Sequence, residues 1–535
     1  MNKRVIILFF LFCLTLSFLC LRIVEIGSGR FAAGAAQNHS LRLPIAERRG
    51  TLYDCNGLPL VNAVPSLMGA AKPTARALDT LTGILPPQEL SALRVRLEKG
   101  SPAAFVFPQG AQVPQNPDIL CLPVWQRYDA QPLAVHLLGY LGADGHGVSG
   151  LEKSYDSYLA AQTGRLAVRF PADAQGRVLP GGAAEIENTG YDSAAGLQLT
   201  LDRRIQQITQ EAMAQPHIRA GAAVVLDCRS GAVRAMVSTP GFHPERVGES
   251  LTAQDAPLIN RAILPAAVGS VFKPILAAAA LENGIPIQQE FVCTGEVRVG
   301  DTVFRCHKRE GHGVLDMRGA VAESCNPYFI QLMQRLTPQQ ILPAVRGAGF
   351  GQQTPLAPEL TSAAGILPNE AELLLPAALA NFSFGQGRLL ATPLQLAAAF
   401  ACIAADGLYH TPYLTQVFLD KNGQPEAPYS AIPPEQVLRP ETAQTLRSLL
   451  ISAVEEGSGK RAKPAQGGAG GKTATAQTGV FVNGDEQVNS WFVGFFPAEK
   501  PQYVIAILVE QGSSGGIDCA PVFQAIADRI RSDML

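Results

Sequence analysis

Apolar positions along this chain fall into three regimes, and each predicts a different kind of element. From Val5 to Leu21 no charge interrupts the run, with Lys3 and Arg4 before it and Arg22 after it. As a helix this run is about long enough to cross a hydrocarbon core of roughly 30 Å, with Arg22 snorkelling at the far end. The leading cations favour a cytoplasmic amino terminus and a chain that continues outside. A cleaved signal peptide is the rival reading, because Gly27, Ser28 and Gly29 follow. Its apolar stretch usually spans only about 7 to 15 residues, so an uncleaved anchor within residues 1–30 is expected. Leu19 stands where a lipoprotein signal before Cys20 would need a small residue. No later stretch is apolar enough to span a membrane.

The second regime is irregular. Thr51–Tyr53 reads as a short strand and Asn56-Gly57 as a tight hairpin turn. Residues 61–120 show helical patterning around Leu90–Leu97 between loops rich in proline and glycine. Residues 178–196, with Pro180-Gly181-Gly182, read as a linker that ends a first domain at residue 195. Beyond it the pattern sharpens. Leu197–Asp202 alternates like a strand, Arg204–Met213 reads as a helix, and Ala222–Leu226 and Ala232–Val237 form a hairpin across Arg229-Ser230-Gly231. Ser490–Phe496 and Tyr503–Val509 are two more strands, and Pro521–Arg531 is a closing amphipathic helix. The expected fold class is α+β: a transmembrane helix, an elongated mixed pedestal over residues 31–195, and a domain over 196–535 built on an antiparallel sheet packed with helices.

At 535 residues the chain is long enough for two to four domains, and its formal net charge of −2 leaves no basic footprint for nucleic acid. Of its ten cysteines, Cys13 and Cys20 lie in the apolar run and the others are scattered singly. Cys293 and Cys306 flank the segment Gly295–Asp301, which reads as a hairpin that a disulfide would close; buried free thiols are the alternative.

Candidate chemistry centres on Val268-Gly269-Ser270-Val271-Phe272-Lys273-Pro274, followed by the apolar run Ile275–Leu281. In a helix beginning at Ser270, the hydroxyl and the Lys273 amine share a face one turn apart and within hydrogen-bond reach. A serine is a poor nucleophile unless a neighbour takes its proton, and burial among Val271, Phe272, Ile275 and Leu276 would lower the lysine pKa enough to do so. Alone, a serine three residues before a lysine is weak evidence. It is joined by the Ser-x-Asn triplet Ser324-Cys325-Asn326 and by Lys472-Thr473-Ala474-Thr475 behind a glycine cluster.

These three motifs, in this order, resemble the Ser-x-x-Lys, Ser-x-Asn and Lys-Thr-Gly set of penicillin-binding proteins and serine β-lactamases. Arg48-Arg49-Gly50 through Asn56-Gly57, His136-Leu137-Leu138-Gly139-Tyr140 and Gly147–Glu152 are similar to the pedestal signatures of class B penicillin-binding proteins, with Cys55 where that family usually has arginine. Asn381–Gly387 and Ala391–Leu396 also match, with Gln386 and Thr392 expected near the cleft rim. The resemblance implies a peptidoglycan D,D-transpeptidase that cross-links stem peptides and is sensitive to penicillin. It assigns Ser270 as nucleophile, Lys273 as base, Ser324 as proton bridge, Asn326 as a holder of the donor peptide, and Lys472, Thr473 and Thr475 as the carboxylate site. The N–H groups of Ser270 and Thr475 would form the oxyanion hole. A polytopic lipid-II polymerase in the membrane is the implied partner, and β-lactams are the implied inhibitors.

Ala474 departs from the family's glycine, where a methyl would tilt the acyl chain, weaken β-lactam fit or reduce activity. No cofactor and no metal site is expected: His307 and His312 read as loop hydrogen-bonders, Cys325 as a packing residue, and His136 as a core histidine. Three rival functions differ in class. A β-lactamase needs a water-activating device, and no Glu-x-x-Leu-Asn pattern follows Asn326; a β-lactam sensor needs a cytoplasmic output domain, for which four residues before the apolar run leave no room. A vestigial scaffold has only Ala474 in its favour. No Glu-Asp-x-x-Phe glycosyltransferase signature occurs in the pedestal.

Overall fold

In the computed structural model, the helix Lys3–Ser28 finds no core for its apolar side chains: Leu8 and Phe12 are 70% and 65% exposed, on a helix apolar all round. Such a helix is at home in hydrocarbon, and Lys3–Glu25 is long and apolar enough to cross a membrane. The structure describes residues 3–28, 40–108, 110–173, 175–179, 181–428 and 432–534. Gly29, the expected anchor boundary at residue 30, and Pro180 of the expected linker lie outside them.

Contacts divide the chain into two compact units. The first comprises Met1–Gly50, Asn62–Arg127 and Ala161–Ser193; the second comprises Thr51–Val61, Tyr128–Ala160 and Ala194–Leu535. The units are therefore interleaved in sequence, which corrects the single boundary expected after residue 195. Thr51–Tyr53 leaves the first unit because it pairs in parallel with Gly196–Leu199, and Leu137, Leu138, Leu151 and Leu159 leave it because they are buried in the large core of the second.

In the first unit, Ser40–Arg48 pairs antiparallel with Gly164–Pro171, which pairs in turn with Glu185–Thr189. The expected linker thus contains a strand. Val64–Ala71 is the centre of a second sheet between Ala103–Val106 and Ile119–Gln126. Helices Ala75–Thr82 and Pro87–Glu98 cover that sheet, burying Leu81, Leu93 and Leu97 with Phe105 and Ile119. Val64–Ala71 has no period-2 signal, because small residues replace β-branched ones where neighbours close in: a Cβ on Gly69 would stand 2.1 Å from the Phe105 ring.

The second unit is organised on five antiparallel strands, β1 (Gly221–Asp227), β2 (Val233–Thr239), β3 (Gly470–Val482), β4 (Asp485–Phe496) and β5 (Tyr503–Val509), in the order β2-β1-β5-β4-β3. Around them stand α1 (Arg203–Met213), α2 (Lys273–Glu282), α3 (Asn326–Met333), α4 (Pro393–Ala404), α5 (Pro440–Glu455) and α6 (Ala520–Met534). Ala222, Val224, Val504 and Ala506 share one core with α2, α4 and α5. Ala223, Val225, Ile505 and Ile507 share another with α1 and α6. Burial on both faces explains why β1 and β5 read as unbroken apolar runs instead of alternating ones. Asp202 caps α1 by accepting from the N–H groups of Arg204 and Ile205, so the strand expected to reach Asp202 ends earlier, at Leu199. The edge position of β3 leaves its outer backbone without a strand partner among the described residues.

Candidate active site

Ser270 sits on a turn held from three sides. Trp491 of β4 donates from Nε1 to the carbonyl of Ala267 at 2.8 Å, and the N–H of Gly269 donates to the carbonyl of Gly385 at 2.8 Å. Gly269 has φ +66°, and a Cβ there would lie 3.0 Å from the Ala476 Cβ on β3. A Gly269→Ala substitution therefore combines left-handed strain with a clash under the nucleophile. We expect it to cost about 1 to 3 kcal/mol of stability and to slow acylation roughly 10- to 100-fold through misplacement of Ser270, read from the thermal midpoint and the penicillin labelling rate.

The turn Gly269–Phe272 is a 3-10 helix and the α-helix starts only at Lys273, three residues later than the sequence suggests. Pro274, which has no N–H to donate, suits the first turn of a helix. Burial of Lys273 follows as expected. Phe272 stacks edge-to-face on Phe350 and Phe382 at 5.2 and 5.0 Å, and Lys273 is fully buried. Desolvation pulls its pKa down to about 7.

The Lys273 amine is directed to the Ser-x-Asn turn. Nζ donates to the Ser324 carbonyl at 2.6 Å, to Asn326 Oδ1 at 2.6 Å and to Ser324 Oγ at 3.3 Å. These bonds take the place of the direct Ser270–Lys273 bond that a continuous helix would favour. The turn itself is unusual in its backbone: Ser324 has φ +56°, in the left-handed region, before α3 begins at Asn326. Because Asn326 Oδ1 accepts from the amine, the sense of its amide is set.

Opposite stands β3. Lys472, Thr473, Ala474 and Thr475 pair with Val493, Phe492, Trp491 and Ser490 of β4. Lys472 is fully buried, and its amine donates to the carbonyl of Thr473 at 3.1 Å and to Ser458 Oγ at 3.4 Å. Burial first, and then the neighbouring Lys273, hold its pKa well below the ordinary lysine value. Thr473 Oγ1 donates to the same Ser458 hydroxyl at 2.9 Å. Sequence reasoning missed Ser458; its setting, Gly457-Ser458-Gly459, is the available signal, and a Cβ on Gly457 would meet the Ala322 carbonyl at 2.5 Å. The Ala474 methyl, 4% exposed, turns toward Gly269 and belongs to the large core. It lies at the cleft floor, beneath the nucleophile turn.

Ser270, Ser324, Asn326, Ser458, Thr473 and Thr475 line one cleft of about 370 Å³, with Glu323, His307 and Ser514–Gly516 at its walls. Lys273 and Lys472 are buried beside it. A larger cavity of about 530 Å³ lies around His136, but none of the three motifs reaches it. There His136 Nε2 meets the Pro257 carbonyl at 2.6 Å, and burial lowers its pKa to about 4, as befits a core histidine. Thr392, expected near the cleft rim, is instead fully buried as the cap of α4, where its Oγ1 accepts from the N–H of Gln395. Cys293 and Cys306 are not bridged. Their thiols converge with Cys325 and with His312, which sequence spacing assigned to the loop alone.

Comparisons with known proteins bear on the family. The family model described as the penicillin binding protein transpeptidase domain matches residues 221–528. The chain is 28% identical over 523 residues to the stage V sporulation protein D of Bacillus subtilis, covering 91% of this chain and 78% of that protein. It is 27% identical over 521 residues to the peptidoglycan D,D-transpeptidase FtsI of Escherichia coli K12, covering 91% and 84%. The crystal structure of penicillin binding protein 3 from Mycobacterium tuberculosis complexed with ampicillin superposes with a TM-score of 0.66 at 25% identity, covering 92% of this chain and 96% of that one. With three motifs meeting in one cleft and the family match spanning more than half its length, this chain belongs to the class B penicillin-binding proteins.

Proposed function

We propose that this protein is a membrane-anchored peptidoglycan D,D-transpeptidase that works through an acyl-enzyme on Ser270. The observation that carries this reading is the fully buried Lys273, with its pKa drawn to about 7, three residues from a cleft-lining serine and bonded to Ser324 and Asn326. Ser270 Oγ attacks the carbonyl of a D-alanyl-D-alanine end while its proton passes to the Lys273 amine. The oxyanion meets the N–H groups of Ser270 and Thr475, whose dipoles are in place before reaction. Collapse breaks the C–N bond, and the leaving amine takes its proton from Lys273 through Ser324 Oγ. An acceptor amine then attacks the ester and restores the serine. Asn326, its amide sense set by Lys273, holds the donor backbone. Lys472, Thr473 and Thr475 bind the terminal carboxylate. The helix Lys3–Ser28 anchors the chain with the catalytic unit outside the cell, beside a polytopic lipid-II polymerase.

Covalent labelling of the membrane-bound full chain with a fluorescent penicillin tests this. We expect one label per chain that survives removal of free drug. Fast spontaneous release would indicate a hydrolase, and a folded protein that takes up neither penicillin nor a D-alanyl-D-alanine thioester would sink the proposal.

A further inference from the structure

We propose that Cys293, Cys306, Cys325 and His312 form a tetrahedral zinc site that ties the loop before α3 to the Ser324–Asn326 turn. Their four donor atoms all lie within 4.8 Å of one another. His312 Nδ1 is 3.5 Å from the sulfur of Cys293 and 3.5 Å from that of Cys306. A tetrahedral zinc, with Zn–S of about 2.3 Å and Zn–N of about 2.0 to 2.1 Å, separates its donors by roughly 3.5 to 3.8 Å. The His312 edges already have that length, and the widest pair has to close by no more than about 1 Å.

The surroundings suit a metal better than a disulfide. Three thiols at mutual reach leave one unpaired under any bridge, whereas a three-sulfur, one-nitrogen set is a soft, closed site of the kind zinc fills structurally. The three cysteines are buried and the His312 side chain is 3% exposed. With Nδ1 facing the sulfurs, His312 Nε2 makes no hydrogen bond among the described residues and points toward Glu323 Oε2 at 3.8 Å, where a carboxylate would orient a ligating imidazole. The supporting loops are held together by their backbones. The N–H of Cys306 donates to the Gly295 carbonyl at 2.8 Å, and that of His312 to the Cys293 carbonyl at 3.1 Å. At Gly311, with φ +86°, a Cβ would stand 2.3 Å from the Cys293 carbonyl, so only glycine allows this approach.

Binding is balanced by the release of three thiol protons to solvent, which leaves a zinc centre of net charge −1. Its place gives it a task. Cys325 lies between Ser324 and Asn326, whose oxygens hold the Lys273 amine. A metal on Cys325 fixes that left-handed turn against the Phe291–Leu315 segment and so positions the acceptors of the base. Coordination stands independently of the proposed transpeptidase chemistry; only its effect on acylation rests on that reading.

The full chain, extracted in detergent without chelator from cells grown with added zinc, is expected to hold about one zinc per chain by elemental mass spectrometry. Reconstitution of reduced apoprotein with Co²⁺ under nitrogen should give thiolate-to-metal charge-transfer bands and intense tetrahedral d–d bands. Cys306→Ser and His312→Ala should lower the zinc content at least tenfold, whereas Cys55→Ser, outside the cluster, retains it. If the ligand variants fail to fold, the cobalt spectrum of the wild type still decides. A folded wild type with no stoichiometric zinc and no cobalt bands, or with two of the three cysteines joined in a disulfide by mass spectrometry, would overturn the site. Removing zinc should slow penicillin labelling about tenfold, in line with the loss of a positioning shell. Zinc-loaded protein that never labels would count against the transpeptidase reading and leave the metal assignment intact.

Discussion

Ser270→Ala is expected to abolish covalent capture of penicillin and to reduce transpeptidation on the order of 10⁴-fold or more, because it removes the proposed nucleophile. Ser324 and Ser458 line the same cleft and are the hydroxyls that a labelled variant would implicate. Ser324 Oγ lies 3.3 Å from the Lys273 amine on a left-handed turn, and Ser458 Oγ accepts from Thr473. Among the described residues the removed hydroxyl makes no hydrogen bond, so folding should be unchanged. The readout is mass spectrometry of the intact chain after drug exposure: a shift in the wild type and none in the variant. A labelled Ser270→Ala protein would place the nucleophile elsewhere.

The second large effect is expected at Lys273. Replacement by alanine removes the proposed proton acceptor, which is typically worth 10²- to 10⁴-fold, and strips the donor from the Ser324 carbonyl and Asn326 Oδ1. Leaving buried acceptors unpaired costs about 1 to 3 kcal/mol apiece, so the thermal midpoint should fall as well. Lys273→Arg separates base from charge, since guanidinium keeps the charge and cannot give up its proton. We expect it to be as inactive as the alanine variant. On the proposed mechanism the active form of the wild type is the neutral amine. With a pKa of about 7, acylation should rise with pH through neutrality and fall tenfold per pH unit well below it. A flat profile between pH 5 and 8, measured by penicillin labelling rates, would remove Lys273 from the role of base.

Much of this was legible in the residues. Ser270, Lys273, Ser324, Asn326 and the Lys472–Thr475 run could be picked out because the spacing within each motif survives folding unchanged. β1 and β5 were visible as apolar runs because helices cover both their faces. What lay hidden depended on distant pairing. Thr51–Tyr53 belongs to the second unit only because Gly196–Leu199 runs alongside it, a partnership with no local trace. Ser458 joins Lys472 and Thr473 from a separate loop. The thiol cluster draws donors from four places between residues 293 and 325, without the paired spacing that advertises a metal site. The late start of α2 had a local signal in Pro274, whose missing N–H would interrupt a helix begun at Ser270 but suits the first turn of one begun at Lys273.

Burying Lys273 and Lys472 side by side also decides what kind of molecule the cleft will admit. At rest Lys273 depresses protonation of Lys472 beyond what burial does alone. In the proposed carboxylate site, a ligand's negative charge works against that depression and favours the ammonium form of Lys472. On the proposed reading, a stem peptide that ends in a free acid favours the charge that holds it, and one that ends in an amide does not.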